Sequence, residues 1–168
     1  MPRRSRVTSL LSAVLLLISV GWAGDEREPA PRFHAKTLDG EQFTNESIKG
    51  RVVLFQFWTT WCPYCKGEES LVNDITSEFS SQGLIVLAID VAESKKKVLE
   101  YLKEHPRKCK IVLTSDTNLA AMYAANSYPI YVVIDREGKI VDTQRGAGGE
   151  RSLRRMLESA GMQSRATE

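Results

Sequence analysis

At 168 residues the chain is long enough for one ordinary domain and too short for two well-cored ones, since domains cluster at roughly 100 to 150 residues. A composition of 42% hydrophobic and 26% charged residues, with 11 Gly and 6 Pro, excludes a disordered, collagen-like or polytopic membrane protein. The net charge is only +2, and three cysteines are too few for a disulfide-stapled miniature fold.

Arg3, Arg4 and Arg6 precede an uncharged apolar run from Leu10 to Val20, and Gly21 and Ala23 supply small residues ahead of the acidic Asp25 and Glu26. This pattern predicts a signal peptide over residues 1–23, cleaved after Ala23. The alternative is a retained anchor, because the 17 uncharged residues from Val7 to Ala23 reach the lower edge of the ~17 to 25 that span a bilayer. Cleavage removes three positive charges and no negative ones, taking the chain to −1. No nucleic-acid partner is expected, since the one basic run, Lys95-Lys96-Lys97, reads as a solvated helix start. The expected location is periplasmic or otherwise extracytoplasmic, membrane-attached only if the signal segment is retained. There a close cysteine pair is either a formed bridge or a cycled one.

Residues 24–32 lack apolar periodicity and read as a tether, ahead of a domain over 33–162 and a flexible tail over 163–168. Phe33 to Leu38 and Glu41 to Thr44 flank Asp39-Gly40 as a hairpin. Val52 to Phe57 and Leu84 to Val91 are nearly continuous apolar runs, as in strands covered on both faces. A helical segment lies between them. Then come a helix over Lys95 to Glu104, a strand over Lys110 to Thr114 and a helical stretch from Asn118 to Ala125. Tyr131 to Asp135 and Lys139 to Thr143 form a second hairpin, and Glu150 to Ala160 closes the chain as a helix. This order predicts an α/β fold with a central mixed β-sheet and helices on both faces.

Cys62-Pro63-Tyr64-Cys65 falls where the first buried strand hands over to a helix, and Pro63 suits a first helical turn because its missing N–H would be unpaired there. Cys62 is thereby placed at a helix N-terminus, where unpaired N–H groups and the helix dipole favour a thiolate. Leu71, Val72, Ile75 and Phe79 define the apolar stripe of this helix. At 100° per residue, Cys65 lies about 65° from its centre and Cys62 about 125° away. The expectation is an exposed Cys62 and a covered Cys65, the asymmetry that thiol-disulfide exchange uses. Glu68 phases to the middle of the stripe, a candidate to move the proton of the inner cysteine, while Lys66 and Glu69 phase outward.

The run Phe57-Trp58-Thr59-Thr60-Trp61-Cys62-Pro63-Tyr64-Cys65-Lys66-Gly67-Glu68 resembles the active-site signature of thioredoxin-like proteins of the TlpA/ResA type. Ser127 to Asp135, followed by Gly138, resembles their second signature, and the likeness runs from about Pro31 to Ala160. The resemblance implies a thioredoxin-like fold and a thiol-disulfide oxidoreductase. In it Cys62 attacks, Cys65 resolves, Glu68 is the nearby acid, and Pro129 follows a cis peptide bond and faces the pair. Trp61, Pro63, Tyr64, Tyr128 and Pro129 would bind substrate. No cofactor is implied beyond the redox-active Cys62-Cys65 disulfide, and no metal. The implied partners are extracytoplasmic protein thiols and disulfides, apocytochrome c among them, and a membrane thiol-disulfide electron donor.

The chain departs from the pattern in places. Gln56 stands where thioredoxins proper carry a buried aspartate, Ser70 where many relatives have a helix-kinking proline, and Tyr128 where a smaller residue is common. Pro63-Tyr64 is a dipeptide familiar from glutaredoxins, whose potentials of ~−200 to −230 mV are less reducing than the ~−270 mV of thioredoxin, so the direction of electron flow stays open. A disulfide oxidant is therefore one alternative. A thiol peroxidase is another, since Thr59 is placed as in peroxiredoxins, although Phe55 stands at their proline. A zinc site using Cys62, Cys65, His105 and Cys109 is disfavoured by the 39 residues separating Cys65 from His105, against a usual ~12 to 20. Cys109 reads as a small packed hydrophobe.

Overall fold

The computed structural model describes residues 26–164; the expected signal segment and the end of the tail lie outside the described residues. Seven strands form one mixed sheet: β1 (His34–Thr37), β2 (Gln42–Thr44), β3 (Val53–Trp58), β4 (Ile85–Asp90), β5 (Lys110–Thr117), β6 (Ile130–Ile134) and β7 (Ile140–Arg145), in the order β2-β1-β5-β4-β3-β6-β7. The β3-β4 and β4-β5 pairs are parallel, and every other pair is antiparallel. The parallel neighbours β3 and β4 are the two nearly continuous apolar runs of the sequence, and all six residues of each are buried.

The helices are α1 (Pro63–Gly67), α2 (Glu69–Glu78), α3 (Lys95–Glu104), α4 (Leu119–Met122) and α5 (Gly149–Ser159). Alternation along β3 divides the core. Leu54 and Trp58 pack with Val72 and Ile75 of α2, Phe79 at its C-terminal end, Val98 of α3 and Leu153 and Leu157 of α5. Val53, Phe55 and Phe57 pack on the opposite face with Phe33, Ile48 and Leu119. Helices therefore cover both faces, as the element order predicts, and this is the thioredoxin-like fold. Among the described residues no helix is long and apolar enough to cross a membrane.

Several boundaries differ from expectation. The helix after the cysteines is two helices, broken at Glu68 (φ −106°, ψ 6°) without a proline. The break lets Glu68 turn inward, where the Tyr131 hydroxyl and the Gly149 N–H hold its carboxyl. Strand β5 continues to Thr117 because Thr117 pairs with Ala35 of β1 and donates its hydroxyl to the His34 carbonyl at 2.7 Å. The helical stretch expected over Asn118 to Ala125 shrinks to one turn, after which Ala124 takes φ 45°. The described part of the segment read as a tether is attached to the domain. Ile140 N–H donates to the Glu28 carbonyl, Ala30 N–H to that of Gly138, and Arg27 pairs with Asp135 at 2.9 Å.

Candidate active site

The cysteine pair sits at the C-terminal end of β3, where the chain leaves the sheet. Cys62 is the N-cap of α1 in extended conformation (φ −74°, ψ 113°), and Pro63 takes the first helical position. The two cysteines are joined as a disulfide, and Cys62 Sγ accepts from the Cys65 N–H at 3.2 Å. That N–H is one of the donors a helix start leaves without an intrahelical partner, so the same geometry can stabilise a thiolate on Cys62 once the bond is reduced.

Cys65 is fully buried, in agreement with its helical phase, but Cys62 is only 3% exposed. The expectation of an open Cys62 is corrected for this disulfide-bonded form. Its sulfur turns toward Cys65 and lies 3.6 Å from the Tyr128 carbonyl, which the neighbouring loop brings across it. The Tyr128-Pro129 peptide bond is cis, and Pro129 is buried at the head of β6. Trp61 (61% exposed) and Tyr64 (67% exposed) stand out beside the pair, and the Trp61 ring meets Tyr128 edge-on at 5.9 Å. Pro63 is exposed with them. The residues expected to hold a substrate are thus gathered around a nearly closed sulfur.

Glu68 is 6% exposed and accepts two hydrogen bonds, 2.7 Å from the Tyr131 hydroxyl and 2.7 Å from the Gly149 N–H. Gly149 has φ 70°, a conformation suited to glycine, and with it the start of α5 aims its N–H at the carboxylate. Gln56 is fully buried and donates from Nε2 to Tyr131 Oη at 3.0 Å, with Gln56 and Tyr131 opposite each other in the β3-β6 register. Burial, followed by the adjacent Glu68, pushes the Tyr131 hydroxyl well above its ordinary pKa, so it stays a donor.

Glu69 does not face outward into solvent. Its side chain is 15% exposed, accepts from the Tyr101 hydroxyl, lies 3.0 Å from His105 Nδ1 and has Arg107 Nη1 at 3.9 Å. The residues considered for zinc are not assembled: His105 faces Glu69, and among the described residues no three His, Cys, Asp or Glu side chains are grouped to hold a metal. Cys109 is buried and unbridged, and burial raises its thiol pKa, so it is a packed residue as its surroundings suggested.

Two acids escaped the sequence reading. Asp90, at the end of β4 and level with Trp58, is fully buried beside Glu93. Burial, reinforced by the neighbouring Glu93, pushes its pKa up to about 8. Glu93 is driven the other way, to about 2: its own burial raises it, but the neighbouring Asp90 and hydrogen bonds from Lys97 and Thr60 together outweigh that. An acid closing an apolar strand run was the one available signal, and its partner lies in a loop without periodicity.

With this geometry in hand, likeness to known proteins is decisive. A family model described as the AhpC/TSA family matches residues 27–143. The chain belongs to the AhpC/TSA family. The chain is also similar to the thiol-disulfide oxidoreductase ResA of Bacillus subtilis (strain 168), 31% identical over 121 residues, which are 72% of this chain and 68% of that protein. A ResA of Bacillus cereus is 26% identical over 129 residues, 77% of this chain and 75% of that protein. A thiol:disulfide interchange protein of the thioredoxin family from Chlorobium tepidum TLS superposes with a TM-score of 0.70 at 25% identity, covering 82% of this chain and 99% of that one. StoA from Bacillus subtilis shares the fold, with a TM-score of 0.64 at 24% identity, covering 76% of this chain and 97% of that one. This AhpC/TSA chain is accordingly a thiol-disulfide oxidoreductase of the thioredoxin-like kind, with Cys62 and Cys65 as its redox pair.

Proposed function

We propose that the protein is exported and reduces disulfides in extracytoplasmic proteins, apocytochrome c among its clients, drawing electrons from a membrane thiol-disulfide donor. The observation that carries the cysteine roles is the asymmetry at α1: Cys62 caps the helix with its sulfur on the Cys65 N–H, while Cys65 has no exposed surface. In the reduced enzyme the Cys62 thiolate attacks one sulfur of the client disulfide. A Cys62-client disulfide forms and the client's other sulfur leaves as a thiolate that takes up a proton. Glu68 accepts the proton of Cys65, whose thiolate then attacks Cys62 Sγ. The client's second sulfur departs, so the client gains two electrons and the Cys62-Cys65 disulfide is restored. Trp61, Pro63 and Tyr64 supply an exposed contact surface. Tyr128 and Pro129 present backbone beside the sulfur, as when an extended segment is bound by strand addition. The ResA name of the relatives supports the chemistry, and the arginine-led apolar N-terminus supports export.

Trapping tests the roles. Cys65→Ser is expected to accumulate mixed disulfides with clients, whereas Cys62→Ser accumulates none; equal trapping by both variants overturns the assignment. The direction of electron flow is read from the reduction potential of the pair: a value below about −250 mV supports a reductant, and one near about −120 mV makes the protein an oxidant.

A further inference from the structure

Arg107 lies in the loop between α3 and β5, and its side chain is only 1% exposed. Burying a guanidinium is unfavourable unless it is well paired. Here the pairing is partial. Among the described residues Nε and Nη1 have no oxygen or nitrogen acceptor at hydrogen-bond distance, Glu69 stands 3.9 Å from Nη1, and the guanidinium lies 5.0 Å from the Trp58 ring centre. A hydrogen bond runs inward from Nη2 to Gln56 Oε1. From there Gln56 Nε2 donates to Tyr131 Oη at 3.0 Å, and Tyr131 Oη donates to Glu68 Oε2 at 2.7 Å.

The polarity of this chain is set at the Arg107 end. A guanidinium has donors and no acceptor, so the Gln56 carbonyl must face Arg107 and its amide must face Tyr131. The Tyr131 oxygen then accepts from Gln56, and its proton is aimed at Glu68. With Gly149 N–H on the other oxygen, both Glu68 oxygens are acceptors. Without Arg107 the Gln56 amide is free to turn over, Tyr131 can donate to Gln56 Oε1, and Glu68 loses a donor. Two buried side chains would thus reverse their roles beside the redox pair.

We propose that Arg107 is a positioning residue of the redox centre, acting through Gln56 and Tyr131 to hold Glu68 as the proton acceptor for Cys65. The inference rests on the cysteine and Glu68 roles proposed above. The charged and titratable groups around the chain are Glu69 of α2 and Cys109 beside Arg107, with Tyr101 and His105 behind Glu69. Around Glu68 the polar contacts are Tyr131 of β6 and the Gly149 backbone.

The test uses the reduced protein and 5,5′-dithiobis(2-nitrobenzoate), which releases one coloured thiolate when Cys62 attacks and a second when Cys65 resolves the mixed disulfide. Arg107→Met is expected to slow the second phase relative to the first by about tenfold at neutral pH, the scale of one lost buried hydrogen bond, and to move the pH profile of the second phase. Arg107→Lys, which keeps a charged donor, is expected to recover most of the ratio. Gln56→Leu and Tyr131→Phe cut the same chain and are expected to reproduce the Arg107→Met profile. Combining either with Arg107→Met adds little. A purely structural role lowers stability in Arg107→Met but leaves the ratio and its pH profile on the wild-type curve, and that result overturns the proposal. Should Arg107→Met not fold, wild-type ratios in both Gln56→Leu and Tyr131→Phe overturn it equally. If the wild type itself shows no second phase, the cysteine roles fail instead, which separates the two readings.

Discussion

Glu93 Oε2 accepts the Thr60 N–H at 2.6 Å, and its Oε1 accepts the Thr60 hydroxyl at 2.8 Å. One carboxylate from the β4-α3 loop thereby clamps both donors of a residue two places ahead of Cys62, and Lys97 from the first turn of α3 closes on it as an ion pair. The loop that carries Cys62 is thereby held at Thr60.

Replacing Glu93 with alanine removes two hydrogen bonds to a charged acceptor whose side chain is 5% exposed. The loss is expected to destabilise the oxidised protein by about 2 to 4 kcal/mol, since such bonds contribute roughly 1.5 to 3 each and water recovers part on exposure. Urea unfolding at neutral pH measures it. A loss within about 0.5 kcal/mol would show that the clamp adds nothing to the folded state.

The acid pair gives stability a definite pH dependence. Asp90 has a folded pKa of about 8, above the unfolded value near 3.8, so between these limits the folded state holds a proton that the unfolded state has released. Its contribution is fully present below the lower value and is lost as pH rises through 8. Glu93, depressed to about 2, contributes above pH 4.5 and loses that contribution as pH falls toward 2. Stability is therefore expected to decline from pH 5 to pH 8, and Asp90→Asn, which carries no titrating proton, is expected to flatten that decline. Denaturation midpoints across pH 4.5 to 8.5 check this; parallel wild-type and variant curves would count against it.

Trp61 touches Tyr128 edge-on yet keeps 61% of its surface. Trp61→Ala is expected to cost about 0.5 to 1.5 kcal/mol, the scale of one aromatic pair. Its larger effect falls on client binding: KM for a protein disulfide rises several-fold, whereas the rate with a small disulfide such as oxidised glutathione changes little. Equal loss on both substrates would place Trp61 in the chemistry instead of the contact surface.

Much of the fold is legible in the sequence because burial and periodicity are local. The apolar runs of β3 and β4, the Asp39-Gly40 hairpin, the Ser94-capped helix α3 and the stripe along α5 each follow from residues within one element. The same local logic places Cys62 at a helix start, buries Cys65 and turns Glu68 inward.

Tertiary structure decided which partners meet those groups. Glu68 is held by Tyr131 and Gly149, 63 and 81 residues away, and Gln56 by Arg107, 51 residues away. No period links such positions; they meet because β6 lies against β3 in register and the α3-β5 loop folds over Trp58. For the same reason helical phase pointed Cys62 and Glu69 outward, while the Tyr128 loop and Arg107 with its neighbours cover them. A sequence determines which face of an element a side chain takes, because that depends on residues within a turn or two. What waits on that face depends on strand order and loop closure, which the whole chain settles together.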